Sequence, residues 1–120
     1  MNEAQLIQKF RKKITSECNK AGLPLFFYKI PDGVGGGLRP FDGFLVLCGK
    51  FFAIEFKVGK NKLEPHQKHC LNKVTNCGGR SLEIRETNVD AMIDSLVSTG
   101  LTAQCIMKRY NTSYRKELKK

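Results

Sequence analysis

In the stretch FDGFLVLCGKFFAIEFKVGK, residues 41–60, three charged side chains stand in apolar surroundings: Asp42 ahead of one apolar run, and Glu55 and Lys57 at the end of the next. Two carboxylates and an ammonium gathered at one point make a site for a hard divalent cation with a charged neighbour for a bound water. The flanking elements can gather them. Both runs are dense in Phe, Leu, Val and Ile and flank Cys48-Gly49-Lys50, the pattern of two strands joined by a tight turn. Glu55 and Lys57 are two apart and share a face of their strand. A Gly49-Lys50 turn sets Cys48 opposite Phe51 and Asp42 opposite Lys57, whereas a Cys48-Gly49 turn sets Asp42 opposite Glu55. Either even-length turn clusters all three, and an odd one separates them unless a bulge intervenes. Both runs are apolar on both faces, so the hairpin is expected in the middle of a sheet covered on both sides.

The remaining elements must hold that hairpin. Residues 3–21 read as a helix with Leu6, Ile7, Phe10, Ile14, Cys18 and Ala21 in one stripe, capped by Asn2 and stopped by Gly22 and Pro24. Its other side carries Lys9, Arg11, Lys12, Lys13 and Lys20, a solvated face or a phosphate-contacting one. Leu25 to Ile30 is an aromatic strand. The loop PDGVGGGLRP, residues 31–40, lacks the G-K-[ST] of a phosphate-binding loop. Because it feeds into Asp42 it is expected to face substrate, with Arg39 on a phosphate; a plain connector is the alternative. Lys60 and Lys62 lie in a basic turn after the hairpin. Glu64-Pro65 opens a helix with Gln67 as the third residue of a capping box and Leu71, Val74 and Cys77 on its core side. His66 and Cys70 are one turn apart, but no four-ligand zinc spacing accompanies them.

Gly78-Gly79 ends that helix, Arg80 to Thr87 alternates as a strand with Leu82 and Ile84 inward, and Thr87 or Asn88 caps a last helix through about Ser98. Its apolar residues are Val89, Met92, Ile93, Leu96 and Val97. Residues 81–100 hold Glu83, Glu86, Asp90 and Asp94 against Arg85, so this part is expected to face away from nucleic acid. Beyond it, residues 108–120 form a basic tail in which Tyr110 and Tyr114 either stack on bases or stay solvated.

With 120 residues there is room for one core, expected over residues 1–107. A net charge of +10 and a pI near 9.6 point to a polyanionic partner. Nucleic acid fits better than a membrane surface, because the basic residues are spread along the chain. Five cysteines without a C-x-x-C read as reduced thiols, with Cys18, Cys48 and Cys70 at apolar positions. MNEAQLIQKFRKK has no signal-peptide apolar core, and no run of 18 apolar residues occurs. The expectation is a soluble, cytoplasmic, non-secreted protein, in the host cytoplasm if viral.

Asp42, a hairpin, and then Glu55-Phe56-Lys57 (E-x-K) resemble the PD-(D/E)XK nuclease superfamily. Over residues 3 to 99 the chain is similar to its VRR-NUC (virus-type replication-repair nuclease) branch, in the first helix from Glu3, the Gly-rich approach to Asp42, Pro65-x-Gln67 and Gly78-Gly79. One departure is that Phe41 separates Pro40 from Asp42, where the family carries Pro directly before its Asp. The resemblance implies an α/β fold with a restriction-endonuclease-like core, a mixed β-sheet flanked by helices. It further implies a Mg2+-dependent endonuclease, with Mn2+ as a substitute, acting on DNA. Asp42 and Glu55 would hold the metal with help from Glu3, a better match than Glu17. Lys57 would act on the attacking water, and Gln67 would stand beside the site. Lys9, Lys12, Lys13, Arg39, Lys60 and Lys62 are the expected nucleic-acid contacts. Small virus-type members act as homodimers on branched DNA such as Holliday junctions, and the strand Leu25 to Tyr28 is a candidate interface. A catalytically inactive nucleic-acid-binding module is the alternative, as is a structural Asp42–Lys57 ion pair. The intact Asp, Glu and Lys set favours the enzyme, because burying three charges carries a desolvation cost that an inactive copy has no need of.

Overall fold

The apolar patterns resolve into seven elements in the computed structural model, which describes residues 1–32 and 39–118, with side chains through residue 103. They are α1 (Glu3–Ala21), β1 (Leu25–Lys29), β2 (Gly43–Leu47), β3 (Lys50–Lys57), α2 (Pro65–Asn76), β4 (Arg80–Arg85) and α3 (Val89–Leu118). One four-stranded mixed sheet runs in the order β1-β2-β3-β4, antiparallel through β3, with β4 parallel to β3 after the α2 crossover. The fold is α/β, with helices on both faces of the sheet.

Turn chemistry sets the register. Leu47 pairs with Lys50, so Cys48 and Gly49 form the two-residue turn, at φ 49° and 82°. Two successive left-handed residues give the backbone twist that suits a tight hairpin, and Gly49 adopts it without a Cβ penalty. Gly43 pairs with Ile54, and the same register one step on sets Asp42 opposite Glu55.

One face of the sheet is dry. Leu6, Phe10, Ile14 and Cys18 of α1 and Val89, Ile93 and Leu96 of α3 close over Leu45, Leu47, Phe52, Ile54, Phe56 and Ile84. Phe10 meets Phe27 and Phe56 edge-on, with ring centroids 5.4 and 5.6 Å apart. On the opposite face α2 packs against β4 and β3, with Leu71 buried. Among the described residues no helix covers β1 and β2 there, so Phe44 and Val46 are only half-buried and Phe51 is exposed. The expectation of a hairpin covered on both faces therefore holds on one face and fails on half of the other. A single 12-residue helix is too narrow to cap four strands.

Two expectations about the elements change. The last helix does not end near Ser98 but continues to Leu118, through nearly all of the segment read as a separate tail. Gly100 is buried in it, and a Cβ there would come within 2.9 Å of Leu23 Cδ1. Glycine here allows α3 to approach the chain before β1; it does not stop the helix. Cys77 is exposed and closes α2 through its backbone N–H, so it is no core residue. Asn88 bridges the turn, accepting from Arg85 N at 2.8 Å and donating to Glu83 O at 3.0 Å. Cys18 and Cys48 are buried as expected, and Cys70 is half-buried. No described helix is long and apolar enough to cross a membrane. The glycines of the loop before Asp42 and the side chains of the basic tail lie outside the described residues.

Candidate functional site

Strand alternation decides which face each charged group takes. Ile54 and Phe56 point into the dry core, so Glu55 and Lys57 point to the α2 face. Asp42 and Glu55 are each 2% exposed, the only buried charged residues among those described. Asp42 is held from three directions. Its Oδ2 accepts from the Phe56 N–H at 2.8 Å, its backbone oxygen accepts from the Ile30 N–H at 2.8 Å, and its Oδ1 pairs with Arg39 Nη2 at 2.7 Å. Arg39 in turn reaches Asp32 Oδ1 at 2.6 Å and Ile30 O at 2.9 Å through Nη1. The residue expected to meet a phosphate is thus occupied by carboxylates.

Glu55 is held less completely. Its Oε1 accepts from Gln67 Nε2 at 3.0 Å, while its Oε2 is buried and has no hydrogen-bond partner. Gln67 also caps α2, its side-chain oxygen accepting from the Glu64 N–H at 2.9 Å. That bond fixes the orientation of the amide, leaving its NH2 to face Glu55. Burial pushes the Glu55 carboxyl up from 4.5 to about 8. The neighbouring Asp42 carboxylate adds to the rise, and Lys57 pulls the other way.

This donor set fits a magnesium-type cation. Such ions are bound by one or two carboxylates and keep several waters, and an orphaned buried carboxylate oxygen is the kind of group that a cation would satisfy. Among the described residues no group of three or more His, Cys, Asp or Glu stands ready as a full ligand cage. Glu3, at the start of α1, lies within reach of the Asp42 charge. Its pKa is raised, first by burial and then by Asp42, with Lys57 and Arg39 opposing.

The other expected contacts divide. Lys9 and Lys13 turn toward α3, where Asp90 takes both ammoniums at 3.5 and 2.7 Å. These pairs are solvent-exposed and therefore weak. Lys12, Lys60 and Lys62 are exposed. The turn that bears the last two is pinned by Gly59 N on Glu86 at 3.0 Å and by Arg85 Nη2 on Asn61 O at 2.6 Å. Zinc ligation gains nothing: His66 and Cys70 meet each other at 3.9 Å, and the His66 ring approaches Arg39 O at 3.2 Å.

Sequence reasoning missed the neighbours supplied by β4. Parallel pairing aligns Glu83 with Glu55 and Arg85 with Lys57, and Arg85 binds Glu83 at 3.1 Å. The acidic stretch expected to face away from nucleic acid therefore places one of its carboxylates beside the site. No signal in the chain announces a parallel register across a crossover. The alternation in RSLEIR could have shown only that Glu83 and Arg85 share a face. No family model, curated protein or solved structure matches this chain.

Proposed function

We propose that this chain is a divalent-metal-dependent endodeoxyribonuclease with a restriction-endonuclease-like core, of the PD-(D/E)XK type it resembles. One observation carries the reading: two directly opposed carboxylates, both buried, with one oxygen of Glu55 satisfied by no protein group. Burying such a pair costs several kcal/mol, on the order expected for a charged group taken from water, and a purely structural pair would be expected to recover it with complete hydrogen bonding. Mg2+, or Mn2+ in its place, when held by Asp42 and Glu55, supplies positive charge at a phosphoryl oxygen and acidifies a water. Lys57, on the same face two residues from Glu55, orients that water and offsets negative charge developing on the scissile phosphate. Gln67 fixes the Glu55 carboxylate. Arg39 exchanges Asp42 for a substrate phosphate, and Lys12, Lys60 and Lys62 hold the flanking backbone.

Substrate choice follows from size. A domain this small selects by shape and charge. One chain carries one site and cuts one strand, so paired cuts in a branched substrate such as a four-way junction call for a two-fold homodimer. The ion pair between Arg39 and Asp42 favours the second reading, a non-catalytic nucleic-acid-binding module, in which that arginine takes the place of a cation for good.

The deciding assay offers labelled linear duplex, single strand, flap and four-way junction DNA with Mg2+, Mn2+ or EDTA. Metal-dependent cleavage, strongest on branched substrates, is the expected result. Tight binding of all four without cleavage in either metal selects the non-catalytic module. A light-scattering mass near 13.6 kDa for the free protein, together with one chain per junction in the complex, removes the dimer.

A further inference from the structure

The sheet face that α2 leaves open is mostly aromatic, with Val46 among the rings. Phe26 and Tyr28 of β1 are 56% and 44% exposed, Phe51 of β3 is 37% exposed, and Phe44 lies half-buried between them. Their rings form a connected file. Phe44 stands 5.9 Å from Phe26, 5.6 Å from Tyr28 and 5.5 Å from Phe51, the last nearly parallel at 26°. Phe51 then meets Phe41 at 6.3 Å, and Phe41 is the residue before Asp42. The file thus runs from β1, the outer strand of the sheet, to Phe41, next in the chain to Asp42. Contiguous exposed rings are not scattered surface apolarity; they mark a contact surface.

We infer that this aromatic file is a stacking platform for unpaired nucleobases, which carries a single-stranded segment of nucleic acid to the Asp42–Glu55 site. The inference rests on the nucleic-acid reading above and deepens it. Three features select bases over a second copy of the chain. Exposed aromatics on a four-stranded sheet stack two or three bases in a recurrent RNA-binding architecture, and every base offers a π-face. Charge is also suitable: from Leu25 to Lys57 the acids are Asp32, which Arg39 neutralises, and the site residues Asp42 and Glu55. Of the cations in that span, Lys57 lies on the same side of β3 as Phe51 and Arg39 flanks Asp42, whereas two copies would each bring a net charge of +10 to the interface. Finally, the platform ends at Phe41, the residue before Asp42 of the site that would act on the strand.

Fluorescence anisotropy in EDTA separates bases from phosphates. The probes are a single-stranded oligonucleotide, an abasic strand of equal length and charge, and a duplex. Wild-type protein is expected to prefer the base-bearing strand over the abasic one by about 5- to 100-fold. The double variant Phe26→Leu with Tyr28→Leu should lose that preference while keeping its affinity for duplex and its salt dependence. Phe26→Tyr with Tyr28→Phe should retain it. Equal wild-type affinity for both strands overturns the inference, as does an unchanged preference in the leucine variant. A wild-type dimer that the leucine pair dissociates, without base preference, also overturns it and gives the face to a second copy. Base preference without cleavage in Mg2+ sinks only the hydrolytic reading; cleavage without base preference sinks only this one.

Discussion

The two faces of the sheet are built from the same strands and differ in almost every physical respect. Against α1 and α3 the strands present Leu45, Leu47, Phe52, Ile54 and Phe56, all buried and purely apolar. On the other face the same strands present Asp42, Glu55, Lys57, Phe44 and Phe51, a mixture of buried charge and exposed rings. The first face holds the fold together. The second carries what stability alone would not select: an unsatisfied carboxylate oxygen, a raised pKa and an uncovered aromatic file. Such departures concentrate at functional sites, so the contrast between the faces is itself the functional signal.

The largest stability effect expected is on the dry face. Phe56→Ala should cost about 3–5 kcal/mol in urea unfolding, whereas Phe26→Ala on the open face should cost about 1 kcal/mol. Equal losses would erase the distinction between the faces.

Next comes Lys57→Ala, expected to lower turnover of bound DNA about 100- to 1000-fold, with little change in affinity. If affinity fell and single-turnover rates did not, Lys57 would be a phosphate anchor and no more.

A pH series sharpens the contrast further. The folded state raises the Glu55 pKa from 4.5 to about 8, so it favours the protonated form. Its stabilising contribution is full below about 4.5 and is lost as pH climbs toward 8. Metal-free protein should therefore lose stability across that window, by at most about 1.4 kcal/mol per pH unit and by less with solvent screening. Glu55→Gln should flatten the slope, and Mg2+ should restore wild-type stability near pH 8 without helping the variant. A wild-type thermal midpoint indifferent to Mg2+ at that pH would count against a cation at the pair.

The smallest effect lies on the periphery. Replacing Lys60 or Lys62 with Ala should reduce the log–log salt slope of duplex binding by about 0.9 for each phosphate contact removed. Lys9→Ala and Lys13→Ala should do less, because Asp90 already engages both ammoniums. Equal slope changes at all four positions would show that the Asp90 pairs do not compete with phosphate.

Much of this arrangement was legible in the chain because strand geometry is local. An even-length turn suffices to bring Asp42, Glu55 and Lys57 together, and Cys48-Gly49 proves to be that turn. The capping signature at Glu64 located Gln67, and helix geometry then aimed its free NH2 at Glu55. What escaped was set by packing between distant segments. Nothing in the stripe of α1 says that Lys13 meets Asp90, 77 residues on. Composition makes Arg39 a cation without revealing that Asp32 and Asp42 bracket it. The hydrophobicity of FLVL and FFAI likewise does not say whether a helix will cover both faces, and here α2 covers only part of one.

The central claim is that Glu55 is kept buried for chemistry at a cost to the fold. Its most direct test is DNA cleavage by Glu55→Gln in Mg2+, measured beside thermal unfolding of the same metal-free variant near pH 8. The account predicts a variant at least as stable as wild type that binds DNA and does not cut it. A variant that cuts at the wild-type rate, or one that loses its fold along with its activity, would contradict it.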